Sequence, residues 1–167
     1  MDLKLKTEDL IKEISQEKDV DGLRDNSPFL TPTVKAVLLA MKRASENLVL
    51  GASNVVVVGA KGFEGRKIVN VLKEIGYEVK GIDKETKNLA KVTKKADLLI
   101  SVTGKKSLIK TNMDKKDSVV IDVGSPHGDV DPKVYKKASF VSPVPGGIGP
   151  VTISCLLENL VISAKGM

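Results

Sequence analysis

Residues 55–71 read VVVVGAKGFEGRKIVNV: four β-branched residues run straight into glycines at 59, 62 and 65, and apolar residues then recur at helical spacing. A valine run without polar alternation is what a strand buried on both faces requires. A strand that feeds a glycine bend and then a helix leaves unpaired N–H groups at the helix start, and these, with the helix dipole, attract a phosphate. Gly59, Gly62 and Gly65 follow G-x-x-G-x-x-G and not the commoner G-x-G-x-x-G. Such glycines admit a ligand closely, but they also let strand and helix pack tightly, so the turn alone leaves both readings open. The next strand, YEVKGID (77–83), ends in Asp83, 24 residues after Gly59 and 18 after Gly65. An acid there is placed to hydrogen-bond an adenosine ribose 2′-OH and to repel a 2′-phosphate.

Working outward, apolar runs alternate with helical patterns. TEDLIKEIS (7–15) predicts a short helix capped by Thr7, and TPTVKAVLLAMKRA (31–44) a longer one with Thr31 as cap and Pro32 at its first position. Val34, Val37, Leu38 and Met41 form one stripe of it. After the valine strand, GRKIVNVLKEIG (65–76) and TKNLAKVTKK (86–95) read as helices; ADLLISVTG (96–104), SVVIDVG (118–124) and ASFVSPV (138–144) read as strands. A helix beginning at Pro150 closes the chain. Strands separated by helices need crossover connections, so the expected fold class is α/β, Rossmann-type, a mainly parallel sheet with helices on both faces. The strand order beyond the first β-α-β unit stays open.

Composition limits the function classes. The 167 residues carry a formal charge of +6, but 27 basic residues are interspersed with 21 acidic ones and aromatics make up 3%. Few rings are present for base stacking, and mixed charge belongs to a solvated face, so neither a nucleic-acid nor a membrane partner is expected. One cysteine, Cys155, excludes an internal disulfide, and no secretory leader opens the sequence, so the cytoplasm is the expected location. No metal cluster is expected. Cys155 lies among Ile153, Leu156 and Leu157 and reads as a packed apolar thiol, not a nucleophile; the lone His127 reads as a surface residue, not a base.

Several ordered segments carry a family resemblance: KDVDG (18–22), TP (31–32), ADLLISVTGK (96–105), VVIDVG (119–124), GDVD (128–131) and above all PVPGGIGPVT (143–152). They resemble methylenetetrahydrofolate dehydrogenase/cyclohydrolase from about residue 2 to residue 163. The resemblance implies oxidation of 5,10-methylenetetrahydrofolate by hydride transfer to a nicotinamide, commonly followed by hydrolysis to the 10-formyl form. It also implies a folate-binding domain ahead of the cofactor domain. Here DLKLK (2–6) stands where the family has QLPLP near the end of that domain, with Asp2 at the glutamine position. Residues 1–30 are thus expected to be a remnant of the folate domain and linker. Residues 31–167 would be the NAD(P)-binding domain, including a bridging helix over 32–45 and a closing helix over 150–164. The Tyr-x-x-x-Lys motif whose lysine serves cyclohydrolysis is missing, so that activity is expected to be lost first.

Carried over by position, Gly59, Gly62 and Gly65 would hold the pyrophosphate, Asp83 the ribose, and Val102, Thr103 and Gly104 the adenosine, while Lys61, with Lys84, is a cofactor contact that would partly rescue a 2′-phosphate. Gly124, Gly146, Gly147 and Thr152 would approach the nicotinamide. Asp21 matches the pterin-contacting acid of DVDG, or else is a turn residue beside Gly22. The family's G-R-S is replaced by Gly59-Ala60-Lys61, and its Ser-Arg pair by Lys84-Glu85. These changes remove groups that would greet a 2′-phosphate, so NAD is expected over NADP. The resemblance further implies a homodimer through the cofactor domain, with the strands after residue 107 as the candidate edge. Three classes stay open: a dehydrogenase half completed by a separate folate-binding chain or a dimer mate, a dinucleotide-binding module without catalysis, and a piece of a larger reading frame.

Overall fold

A computed structural model describes residues 7–45, 54–83 and 85–166. Asp2, the DLKLK segment and Lys84 lie outside the described residues. In chain order the elements are α1 (Thr7–Glu13), α2 (Pro32–Ser45), β1 (Val55–Val58), α3 (Phe63–Glu74), β2 (Val79–Ile82), α4 (Leu89–Thr93), β3 (Leu98–Ser101), β4 (Val119–Asp122), β5 (Phe140–Val141) and α5 (Ile148–Ala164). Short 3-10 turns over Gln16–Lys18 and Pro132–Lys136 went unread in the sequence.

All strand pairs are parallel, in the order β2-β1-β3-β4-β5. After β2 the chain crosses back and adds β3 on the other side of β1, which makes the carboxyl ends of β1 and β3 the switch point where such sheets take ligands. The four valines of β1 are buried, as a central strand demands. Val55 and Val57 face one core with Leu98, Ile100, Val119 and Ile121, covered by residues of α2, α3 and α5. Val56 and Val58 face a second core with Leu99, Val120, Ile109 and Val134. Both faces are therefore covered, the Rossmann-type arrangement expected.

Boundaries differ where side chains compete with the backbone. Thr7 is the first residue of α1 and not its cap, and that helix ends at Glu13. The pattern at 86–95 yields helix only over 89–93, because the Thr86 hydroxyl accepts from the Asp83 amide at 3.0 Å while its own N–H donates to the Asp83 carbonyl at 2.9 Å. That local turn uses the groups a helix would need. The closing helix starts at Ile148, two residues before Pro150. A proline so near the start removes only an N–H without an intrahelical partner. β5 stops at Val141 because the Ser142 hydroxyl takes the next place in the ladder, accepting the Asp122 amide at 2.8 Å and donating to the Asp122 carbonyl at 3.2 Å.

Candidate functional site

The glycine turn assigns its three glycines different tasks. Gly59 has φ +93°, and a Cβ there would lie 2.6 Å from the Val102 carbonyl oxygen, so β1 and β3 meet too closely for any side chain. Gly65 is buried in the first turns of α3, where a Cβ would come within 2.1 Å of the Gly59 carbonyl oxygen. Both glycines thus serve the packing that the sequence left as one of two readings. Gly62 is different: exposed, with ordinary φ, its added Cβ would meet only Gly59 O at 3.3 Å. It caps α3 without a side-chain hydrogen bond. The N–H groups of Phe63, Glu64 and Gly65 find no acceptor among the described residues, and the first bonded amide is Arg66, to Gly62 O at 3.0 Å. Three free amides at the positive end of a 12-residue helix, with no side chain in front, fit a diphosphate.

Asp83 stands beside this turn at the end of β2. Its Oδ1 accepts the Lys61 amide at 3.1 Å, so one oxygen orders the turn and the other is left to a ligand. Lys61 Nζ reaches Glu85 Oε2 at 2.8 Å. Across the switch point, Val102 and Thr103 leave β3, and Gly104 turns at φ +63° with open space about its Cα. The residues expected on the adenosine side are therefore neighbours at the carboxyl ends of β1, β2 and β3.

The residues expected on the nicotinamide side also converge. Gly124, Gly146, Gly147 and Thr152 line one cavity of about 380 Å³ beyond β4 and β5, together with Asp122 and Thr33. A larger cavity of about 530 Å³ lies at the opposite, amino-terminal end of β1 and β2, away from the ends that a parallel sheet offers to ligands. What shapes the β4 end is a buried carboxylate pair the sequence reading did not single out. Asp129 Oδ2 accepts the Ser101 hydroxyl at 2.8 Å, the Thr103 amide at 2.7 Å and the Thr103 hydroxyl at 2.8 Å. Asp122 accepts the amides of Gly124 and Asp129 at 2.9 Å and of Val130 at 3.0 Å. Burial lifts the Asp122 carboxyl above its usual range, the Asp129 charge adds to this, and the three amides oppose it. Gly124 is a glycine because a Cβ would sit 2.5 Å from Asp129 Oδ1. An acid closing the apolar run VVID was the visible signal, since a charge within a buried strand needs a network.

Other expected residues stand apart. Asp21 is exposed, and its turn is organised by Asp19, which is buried and accepts the Leu23 and Arg24 amides at 2.9 Å. His127 is exposed beside a cavity of about 490 Å³ that it shares with Tyr135 and Lys106. Cys155 is buried, and burial pushes its thiol up, away from the thiolate a nucleophile needs. Thr31 caps α2 by accepting the Val34 amide at 3.2 Å and donates to Glu64 at 2.8 Å, which ties α2 to the first turn of α3. Among the described residues no group of three or more His, Cys, Asp and Glu is placed to hold a metal, and no helix is long and apolar enough to cross a membrane.

Residues 31–167 match the family model for the tetrahydrofolate dehydrogenase/cyclohydrolase NAD(P)-binding domain. The chain belongs to this family. It is similar to the bifunctional protein FolD of Lactobacillus helveticus, 37% identical over 170 residues, which cover 93% of this chain and 60% of that protein. The crystal structure of FolD from Campylobacter jejuni is 36% identical with a TM-score of 0.84, covering 94% of this chain and 61% of that one. The Trypanosoma brucei FolD, solved with NADP and an inhibitor, is 29% identical with a TM-score of 0.81, covering 93% and 61%. The chain thus spans about 60% of the length of the relatives it matches, the part that holds the NAD(P)-binding domain. Within the family fold, the glycine turn, Asp83 and the cavity under Gly146 lie along one edge of one sheet.

Proposed function

We propose that this chain is the nicotinamide-binding half of a 5,10-methylenetetrahydrofolate dehydrogenase and that it prefers NAD. The observation that carries the reading is the row of acceptor-free amides at Phe63, Glu64 and Gly65, on the same sheet edge as the glycine-walled cavity of Gly124, Gly146 and Gly147. The bound nicotinamide supplies a hydride acceptor. The residues of this chain bind and orient: the α3 amides take diphosphate charge, Asp83 Oδ2 takes a ribose hydroxyl, and the glycines at 124, 146 and 147 leave room for a flat ring. Loss of hydride leaves a cation stabilised by the two flanking folate nitrogens, so the redox step needs alignment more than a proton shuttle. Hydrolysis needs an activated water and a base. Neither Tyr77 nor Tyr135 is followed by lysine at the fourth place, so these 167 residues hold no Tyr-x-x-x-Lys base and hydrolysis would need one supplied from outside them.

The folate surface must come from elsewhere, and Asp21 alone on an exposed turn does not make one. α5 supports a second folate-binding unit: Ile153, Leu157, Leu160 and Val161 are each more than half exposed in one stripe, while Cys155 and Asn159 of the same helix are buried. A helix apolar on two sides calls for cover on two sides. We assign that cover to a folate-binding unit corresponding to the 40% or so of the relatives' length that these residues do not match, whether joined to them or separate. Homodimerisation at the β5 edge, in the cytoplasm, is the companion expectation, and light scattering showing only monomer would count against it.

The test is absorbance at the NADH band with methylenetetrahydrofolate and either nicotinamide. Turnover by the isolated chain supports an enzyme complete in itself. NAD binding without turnover leaves the partner-dependent half or a module without catalysis, which turnover on adding a folate-domain chain then separates. A second cofactor reading, NADP, is favoured by the NADP-bound T. brucei relative; tighter NADP binding at moderate salt would overturn the NAD preference.

A further inference from the structure

The rim of the adenosine site carries a cation that the turn already holds in place. Lys61 starts beside the ribose acid, its amide 3.1 Å from Asp83 Oδ1, and its ammonium ends on Glu85 at 2.8 Å. Glu85 raises the lysine pKa, first through that hydrogen bond and then through its charge, with a smaller pull from Asp83. Both carboxylates therefore bear on one ammonium. The side chains of the pair are 76% and 60% exposed, so a ligand can reach them. An exposed pair of this kind contributes little to the fold, so a phosphate dianion can contest it.

We propose that the Lys61–Glu85 ion pair is a selectivity element of this cleft: Glu85 detains the ammonium that would otherwise meet a 2′-phosphate. The inference rests on the site being the dinucleotide site and deepens the NAD reading. Formally, Lys61, Asp83 and Glu85 sum to one negative charge, which a 2′-hydroxyl tolerates and a 2′-phosphate does not. Neutralising Glu85 brings the sum to zero and frees a donor. Removing Lys61 as well restores the negative rim. Selectivity thus sits in a pair of side chains 24 residues apart and not in Asp83 alone.

The experiment is a fluorescence titration of wild type, Glu85→Gln and the Glu85→Gln/Lys61→Met double variant with NADH and NADPH, far-UV circular dichroism confirming the fold of each. Glu85→Gln should shift the ratio of affinities toward NADPH by about fivefold, the upper range for an exposed charge. The shift should shrink between about 0.05 and 0.5 M salt as screening tightens, and the double variant should return to the wild-type ratio. An unchanged ratio in Glu85→Gln, or a gain that survives loss of Lys61, overturns the proposal. A wild type that prefers NADPH sinks the NAD reading while the shift still judges the pair; binding of neither dinucleotide sinks both.

Discussion

The two ends of the cleft are built by opposite means. At the adenosine end the polar groups are exposed: Lys61 pairs with Glu85 in solvent, and Gly62 stands free at the head of α3. At the nicotinamide end the polar groups are buried: Asp122 and Asp129 are 1% and 0% exposed and together accept six hydrogen bonds from the surrounding backbone and hydroxyls. A buried acceptor with several donors fixes a shape, because each donor stranded without it costs about 1–3 kcal/mol. An exposed pair fixes little and can be exchanged. The difference teaches that this fold separates the holding of a reaction geometry from the choice between closely related cofactors.

The largest expected effect tests the buried end. Asp129→Ala strands the Ser101 hydroxyl and both Thr103 donors, and should destabilise by about 3 kcal/mol or more, a fall in Tm near 10 °C for a domain of this size. A loss under about 1 kcal/mol in urea unfolding would break the comparison. Gly65→Ala sharpens it, since Gly65 belongs to the phosphate turn by sequence and to the core by packing. A Cβ 2.1 Å from Gly59 O should cost about 2–3 kcal/mol, read by the same unfolding curves. Gly62→Ala should do the reverse, with under about 1 kcal/mol lost from the fold at a cap position and NADH affinity down by roughly tenfold as a methyl enters the diphosphate path. Titration beside thermal melting separates the two quantities.

The smallest effect is in pH. Burial raises the Asp122 pKa in the fold above its unfolded value. The stability this group contributes is therefore fully present below the ordinary carboxylate range and is lost as pH rises through the raised folded value. Asp122→Asn removes that dependence while giving up an acceptor for one amide. Its penalty in urea unfolding should be larger at about pH 4.5 than at pH 7, by under about 1 kcal/mol; an equal or opposite difference would show that burial does not raise the Asp122 pKa in the fold.

Much of this was legible because it is local. The valine run, the glycine bend and the helical stripe of Val34, Val37, Leu38 and Met41 each declare themselves within a dozen residues, and the structure buries all four valines and the stripe, with Leu38 half-buried at its margin. Asp83 was legible as the acid after the second strand. Its use of one oxygen to order the Lys61 amide was not, since that bond spans 22 residues. Thr86 misled the helix boundary because its hydroxyl found a local partner, and the part Asp19 plays in ordering the DVDG turn went unread because nothing in the sequence distinguishes its two acids.

The sequence by itself determined the strand-turn-helix unit, the alternation of elements and the family to which its ordered segments point, since all of these rest on residue periodicity and on the backbone freedom of glycine. Only the tertiary structure decided the order β2-β1-β3-β4-β5, the gathering of Ser101, Thr103, Gly124 and Asp122 about Asp129, and the capture of Lys61 by Glu85. Those depend on register between strands that are distant in the chain, and a hydrogen bond forms between whatever groups register brings within 3 Å or so, regardless of how far apart the residues are in sequence.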